Sequence, residues 1–166
     1  MTLQVLTRSD KNAQKKAKKR PLYVKFKIVP FGTRAYIESV ILREEVLRKP
    51  LGLKFKVEDL RDEEDQIHLT FWDNKQCIAT AILKPLDKDK VQLRQMAVKE
   101  EYQGQGIGSA LLAIAEKIAK NEDYKIIILD ARLSAINFYK KHNYSQIGEQ
   151  FRLIGLPHVK MMKILI

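Results

Sequence analysis

The sequence predicts an α+β fold: a mainly antiparallel, twisted sheet that carries one parallel βαβ unit and is flanked by helices. Three stretches support this. Gln66 to Trp72 (QIHLTFW) and Gln76 to Leu83 (QCIATAIL) are strand-like runs joined by Asp73-Asn74-Lys75, the pattern of an antiparallel hairpin. Residues 91 to 129 read as strand, glycine-rich turn, amphipathic helix and the continuous apolar run KIIIL, a unit whose two strands lie parallel with a right-handed crossover. Ser145 to Arg152 and Val159 to Ile166, separated by Gly155-Leu156-Pro157, close the chain as two more strands.

The remaining elements follow in order. Residues 1–21 form a basic, flexible arm ahead of a single domain at 22–166. Leu22 to Val29 (LYVKFKIV) alternates apolar and basic residues as a half-buried strand does, and Pro30 closes it. Thr33 to Leu47 spaces Tyr36, Val40, Val46 and Leu47 near a helical period, interleaved with Ile37 and Ile41, until Pro50 and Gly52 stop the helix. Glu58 to Asp65 is a loop or short helical turn. After the hairpin and a polar turn at 85–90, Val91 to Val98 extends the sheet as a meander. Ile107, Leu111, Ile114 and Ile118 then share one helix face, with Ala110, Ala113 and Ala115 allowing close approach to the sheet. KIIIL reads as a strand covered on both faces. Ser134 to His142 is a short helix.

Composition narrows the class. At 166 residues and 45% hydrophobic content the chain suffices for one core, and no apolar run nears the roughly 18 residues that cross a bilayer. No secretory leader opens it, and a lone Cys77 excludes an internal disulfide, so a reducing cytoplasm is expected. Of the eleven net positive charges, residues 1–20 supply six, from Arg8, Lys11, Lys15, Lys16, Lys18, Lys19 and Arg20 against Asp10. The body is therefore only mildly basic. The arm from Lys11 to Arg20 is either a solvated extension or a contact for nucleic acid or another acidic surface.

Chemistry centres on Gln103-Gly104-Gln105-Gly106-Ile107-Gly108, between a strand and a helix. Alternate glycines permit positive φ and remove Cβ atoms, so several N–H groups can face one concavity at a helix N-terminus, a place that binds phosphate. A Walker-type loop requires Lys-Ser/Thr after its last glycine, and this turn has none. A dinucleotide fingerprint needs G-x-G-x-x-G, whereas the spacing here is G-x-G-x-G; Asp130 ends the next strand about where a ribose-binding acid falls, but no further βα units follow.

The spacing Q/R-x-x-G-x-G/A does match, and with it the stretch MAVKEEYQGQGIGSALL resembles the acetyl-CoA motif of the Gcn5-related N-acetyltransferase (GNAT) family. ARLSAINFYKKHNY is similar to that family's A-x-x-F-Y-x-K-x-G-[FY] segment, and ILREEVLRKPLGL and GLPHVKMMKIL resemble parts of small bacterial members. The resemblance spans residues 22–166. It implies a sheet whose two parallel strands, Val91 to Val98 and Lys125 to Asp130, splay apart beside the glycine loop. It implies that backbone groups of Met96, Ala97 and Val98 pair with pantetheine amides, that Gln103, Gly104, Gln105, Gly106, Ile107, Gly108 and Ser109 hold the pyrophosphate, and that the thioester lies in the gap past Ala135. Ala135 and Tyr139 lie at i and i+4 on one helix face. The resemblance assigns Tyr139 as proton donor to the departing CoA thiolate.

Two positions depart from the family pattern. Arg132 stands where members often carry a cofactor-contacting Asn, so that contact is not carried over. Asn143 stands where the family has Gly, and Asn also tolerates the left-handed conformation of a helix C-cap. The implied reaction is direct attack of an amine on the acetyl group, without an acyl-enzyme. Cys77 sits mid-strand in apolar surroundings and reads as inert. His158 and Glu149, in the C-terminal hairpin that borders the acceptor side in this family, are the candidates for general base or acceptor binding. His68 and His142 read as structural. No His, Cys and carboxylate cluster has metal-ligand spacing, so no metal is expected. Acetyl-CoA is the expected co-substrate, and a small-molecule or peptide amine the acceptor; a basic body slightly disfavours polycations. The alternatives are a CoA-binding regulatory or interaction module without efficient catalysis, and a nucleic-acid-binding protein acting through the arm. The oligomeric state is monomer or homodimer, with an edge strand near the C-terminus available for pairing.

Overall fold

Alternation along Leu22–Val29 builds a strand that organises one side of the sheet. The computed structural model describes residues 2–5 and 22–166. Strand β1 (Thr2–Val5) pairs antiparallel with β2 (Leu22–Val29), so part of the expected arm is an edge strand; the basic run from Lys11 to Arg20, and any nucleic-acid contact through it, lie outside the described residues. Thr33 caps helix α1 (Arg34–Arg43) by accepting from the Tyr36 N–H, and the chain leaves α1 through a π turn at Glu44–Arg48 and a 3-10 turn ended by Gly52, whose φ is 69°. Helix α2 (Val57–Arg61) leads into the expected hairpin, β3 (Ile67–Asp73) and β4 (Gln76–Pro85), then β5 (Lys90–Val98), α3 (Ile107–Asn121), β6 (Ile126–Arg132), α4 (Ile136–Lys141), β7 (Ser145–Leu153) and β8 (Leu156–Ile164). Among the described residues eight strands run in the order β1-β2-β3-β4-β5-β6-β8-β7, antiparallel except for the pair β5/β6. The last hairpin turns in two residues, Ile154 and Gly155, at φ 48° and 75°, which matches the twist of its strands.

The period-2 alternation of side chains sends each strand's residues to opposite faces. Leu69, Phe71, Val91, Leu93, Ile127 and Leu129 face Ile107, Leu111, Leu112 and Ala115 of α3 and form the main core. On the other face α1 packs on β4 and β5, and Tyr36 and Leu42 join Trp72 and Cys77 in a smaller cluster. β4 lies between both layers and is buried from Cys77 to Leu83.

One expectation needs correction. KIIIL is covered on one face: Ile127 and Leu129 are buried, while Ile126 and Ile128 are half-buried on a face where Asp130 accepts from Lys160 Nζ at 2.6 Å. The covering helix on that side packs over β4 and β5 instead. In α1, Ile37 and Ile41 point outward, 51% and 56% exposed, and the buried face is Tyr36, Ser39, Leu42 and Arg43. A buried arginine is admissible because Glu63 matches it: Nη1 and Nη2 donate to Oε2 and Oε1, each at 2.8 Å, and Tyr36 Oη donates to Oε1 at 2.8 Å. His68, 2% exposed, binds the Glu63 carbonyl through Nε2 at 2.8 Å, which agrees with its structural reading.

Candidate active site

The parallel pair runs only from Lys90/Ile126 to Leu93/Leu129, although β5 continues to Val98 and β6 to Arg132. Gln95 takes φ 54°, and the register of β5 against β4 shifts between Thr80 and Ile82. A non-glycine residue in the left-handed region is uncommon and is held there by its surroundings. β5 therefore swings away from β6, and its last residues pair with β4 alone: Thr80 with Ala97, Ala79 with Val98. The β6-facing edge of residues 95–98 opens onto a cleft of ≈760 Å³.

The glycine loop closes one end of this cleft. Gly104 and Gly106 have φ 72° and 82°, and Gly106 N-caps α3 without any side-chain cap. The first i to i−4 bond of α3 is Ala110 N to Gly106 O, so the N–H groups of Ile107, Gly108 and Ser109 have no partner within the helix. With the positive end of the helix dipole added, this is a site for an anion. Gln103 braces the loop by donating Nε2 to the Val98 carbonyl at 2.8 Å.

The two sequence motifs meet here. A Cβ on Gly108 would sit 3.5 Å from the Phe138 ring, and Ser109 Oγ lies 2.9 Å from His142 Nε2, so His142 ties the end of α4 to the start of α3. Asn143 has φ 66°, the left-handed cap expected of it. Tyr139, 9% exposed, donates its hydroxyl to Met96 Sδ at 3.8 Å, across the gap between α4 and β5. Burial pushes its phenol up to about 12.

Of the residues singled out from sequence, Met96, Ala97, Val98, Gln103, Gly104, Gly106, Ile107, Gly108, Ser109, Ala135, Tyr139 and His158 all line the cleft. Gln105 does not; its side chain donates to the Glu101 carbonyl at 3.0 Å. Glu149 is exposed on β7, within the irregularity between Ile147 and Phe151, and is not a lining residue. His158, 4% exposed, donates Nδ1–H to the Leu156 carbonyl at 2.9 Å; in the neutral ring that leaves Nε2 as an acceptor. Cys77 lies outside the cleft in the α1 cluster, and burial raises its thiol to about 12, so it carries no thiolate near neutrality. Arg132 donates Nη2 to the Leu47 carbonyl at 2.8 Å. Sequence reading passed over Arg48, Arg94 and Phe138. Arg94 was legible in principle, as the polar partner of Gln92 in the alternating run Val91-Gln92-Leu93-Arg94; Arg48 was not, because its place depends on the π turn.

Residues 49–144 match the model of the acetyltransferase (GNAT) family. The chain belongs to that family. The GNAT protein is 28% identical over 127 residues to the uncharacterized N-acetyltransferase YjcF of Bacillus subtilis, covering 76% of this chain and 90% of that one. It is 26% identical over 108 residues to streptothricin acetyltransferase A of the same organism, covering 61% and 62%. Its fold is that of an N-acetyltransferase from Lactobacillus plantarum (TM-score 0.75, 24% identity, 85% of this chain and 99% of that one). It is also that of a GNAT acetyltransferase from Elizabethkingia anophelis solved with acetyl-CoA bound (TM-score 0.62, 18% identity, 85% and 95%). This acetyltransferase has no helix among the described residues that is long and apolar enough to cross a membrane.

Proposed function

We propose that this GNAT member is an acetyl-CoA-dependent N-acetyltransferase that moves the acetyl group to an amine by direct attack, with no acyl-enzyme. The observation that carries the reading is the break in the β5/β6 pairing after Leu93/Leu129, beside an open helix N-terminus and a buried phenol. The chain's groups fit the co-substrate: uncapped N–H groups at Ile107, Gly108 and Ser109 suit a pyrophosphate, and the edge at 96–98 that β6 does not pair, apart from the Val98 carbonyl held by Gln103, suits the amides of a pantetheine arm. Acetyl-CoA supplies an activated thioester. The amine nitrogen forms the new bond to the acetyl carbon, the carbon–sulfur bond breaks, and the thiolate requires a proton.

Tyr139 holds that proton at its hydroxyl. A phenol raised to about 12 remains protonated at neutral pH, and its oxygen already contacts a sulfur atom, Met96 Sδ. His158 Nε2 is the acceptor that lines the cleft and receives the proton the amine loses; the outward position of Glu149 favours His158 over it. The single buried Cys77 agrees with a reducing, cytoplasmic setting.

The test is CoA release from acetyl-CoA over a chemically varied panel of amines. Tyr139→Phe should lower kcat roughly 10- to 100-fold, at or below the low end of general-acid effects because a thiolate near 8.5 is already a fair leaving group, with CoA affinity unchanged by calorimetry. An unchanged kcat removes Tyr139 as the acid. Absence of CoA release with every amine favours the binding-module alternative.

A further inference from the structure

Three guanidinium groups converge on the cleft with no carboxylate among the described residues paired to them. Arg48 leaves the π turn, Arg94 lies on β5 where β6 departs, and Arg132 ends β6; each lines the cleft and each is partly buried. A second pocket, of ≈290 Å³, shares Arg48, Arg94, Gln95 and Ile154 with the cleft and includes none of the glycine-loop residues, so Arg48 and Arg94 mark the end away from that loop, and Arg132 joins them through its bond to the Leu47 carbonyl. Arg132 sits directly across from His158 in the β6/β8 register, and neighbours paired this way project to the same face.

The surroundings keep these charges unpaired. Arg132 donates to the Leu47 carbonyl beside Arg48, Arg48 stacks on Phe55 at 4.7 Å, and Arg94 Nη1 donates to Gln66 Oε1 at 2.6 Å. None makes an ion pair among the described residues. Nearby carboxylates are committed elsewhere: Asp130 to Lys160 at 2.6 Å, Asp59 to the Lys56 N–H at 2.7 Å, and Glu63 to Arg43. Burial lowers the pKa of all three, and for Arg48 the repulsion of Arg132 is the next cause. Like charges gathered in a half-buried cleft are unfavourable until an anion arrives, and the planar fork of arginine fits carboxylate and phosphate oxygens.

We propose that Arg48, Arg94 and Arg132 receive an anionic group of the acceptor, so that this protein acetylates a primary amine bearing a carboxylate or phosphate. The inference rests on the acetyl-transfer reading above. The donor's pyrophosphate has its own site at the glycine loop, which leaves the arginine end to the acceptor, with the amine beside His158.

The experiment follows CoA release with matched probes: glycine against glycinamide, phosphoethanolamine against ethanolamine, and spermidine. The anionic member of a pair should exceed its neutral partner at least 10-fold in kcat/KM, and the pair that does so identifies carboxylate or phosphate. Arg48→Gln and Arg132→Gln should each raise KM for that anionic amine about 10- to 100-fold. Both variants should keep the wild-type circular dichroism spectrum and urea midpoint, which controls for folding, and calorimetric CoA affinity should hold. Preference for neutral or polycationic amines overturns the proposal while acetyl transfer stands. Loss of CoA affinity in the arginine variants assigns the cations to the donor and also overturns it. Failure of every amine to release CoA removes the acetyl-transfer reading itself.

Discussion

Tyr139 holds its phenol against a thioether in a nearly closed space, and that burial fixes its protonation. A phenol at about 12 is fully protonated at pH 7 and at pH 9.5, so removing it should cost the same factor at both. The Tyr139→Phe to wild-type ratio of kcat should therefore be flat across this range, and any alkaline limb in the pH profile should survive the substitution. At Gly106, φ 82° admits glycine and resists a β-branched residue. Gly106→Val should weaken CoA binding at least 10-fold in a protein that still folds, measured by calorimetry beside circular dichroism; unchanged affinity removes the phosphate-loop argument. Both residues were legible in sequence, Gly106 from spacing and Tyr139 from its motif. Arg48 was not, since an arginine at a helix end reads as solvated until its neighbours are known.

Among the elements, α1 departs most from its sequence pattern. Periodicity placed Tyr36 and Val40 on the helical stripe with Ile37 and Ile41 interleaved; the helix buries Tyr36 together with the polar Ser39 and Arg43 and leaves the two isoleucines in solvent. The reason is a specific partner twenty residues on: Glu63 takes both guanidinium nitrogens and the Tyr36 hydroxyl, and so latches α1 to the segment before β3. Glu63→Gln strips the buried arginine of its counter-charge and should destabilise the fold by about 3–5 kcal/mol in urea titration. Ile41→Lys, on the exposed face, should stay within about 0.5 kcal/mol. The order of these two effects is the reverse of what a hydrophobic count would give. Helix α3 behaves oppositely: Ile107 and Leu111 are buried as its spacing predicted, because its cover is the whole apolar face of β3, β4 and β5.

Over the whole molecule, the same buried network sets acid stability. Burial holds His68 below its ordinary 6.5, so as pH falls through that value the unfolded chain takes up a proton the folded chain refuses, and stability drops. Burial alone would raise Glu63, but the Arg43 fork outweighs it and holds the carboxyl below its usual 4.5; its contribution is present above that value and lost as pH falls further. Urea midpoints should accordingly decline in two stages, one beginning below about pH 6.5 and one below about 4.5, with the first absent in a folded His68→Gln variant. The sequence by itself determined the element order from β2 onward, the parallel unit within an antiparallel sheet and the glycine loop, because hydrophobic period, turn residues and φ requirements are local properties of the chain; it did not show β1, which pairs at the edge with β2. Only the tertiary structure decided where β5 and β6 part, which face of α1 is buried, that Glu149 points away while His158 lines the cleft, and that three arginines meet there. Those outcomes depend on register, on the left-handed Gln95 and on charge partners distant in sequence, and a strand's pattern holds no record of the neighbour beside which it will stop pairing.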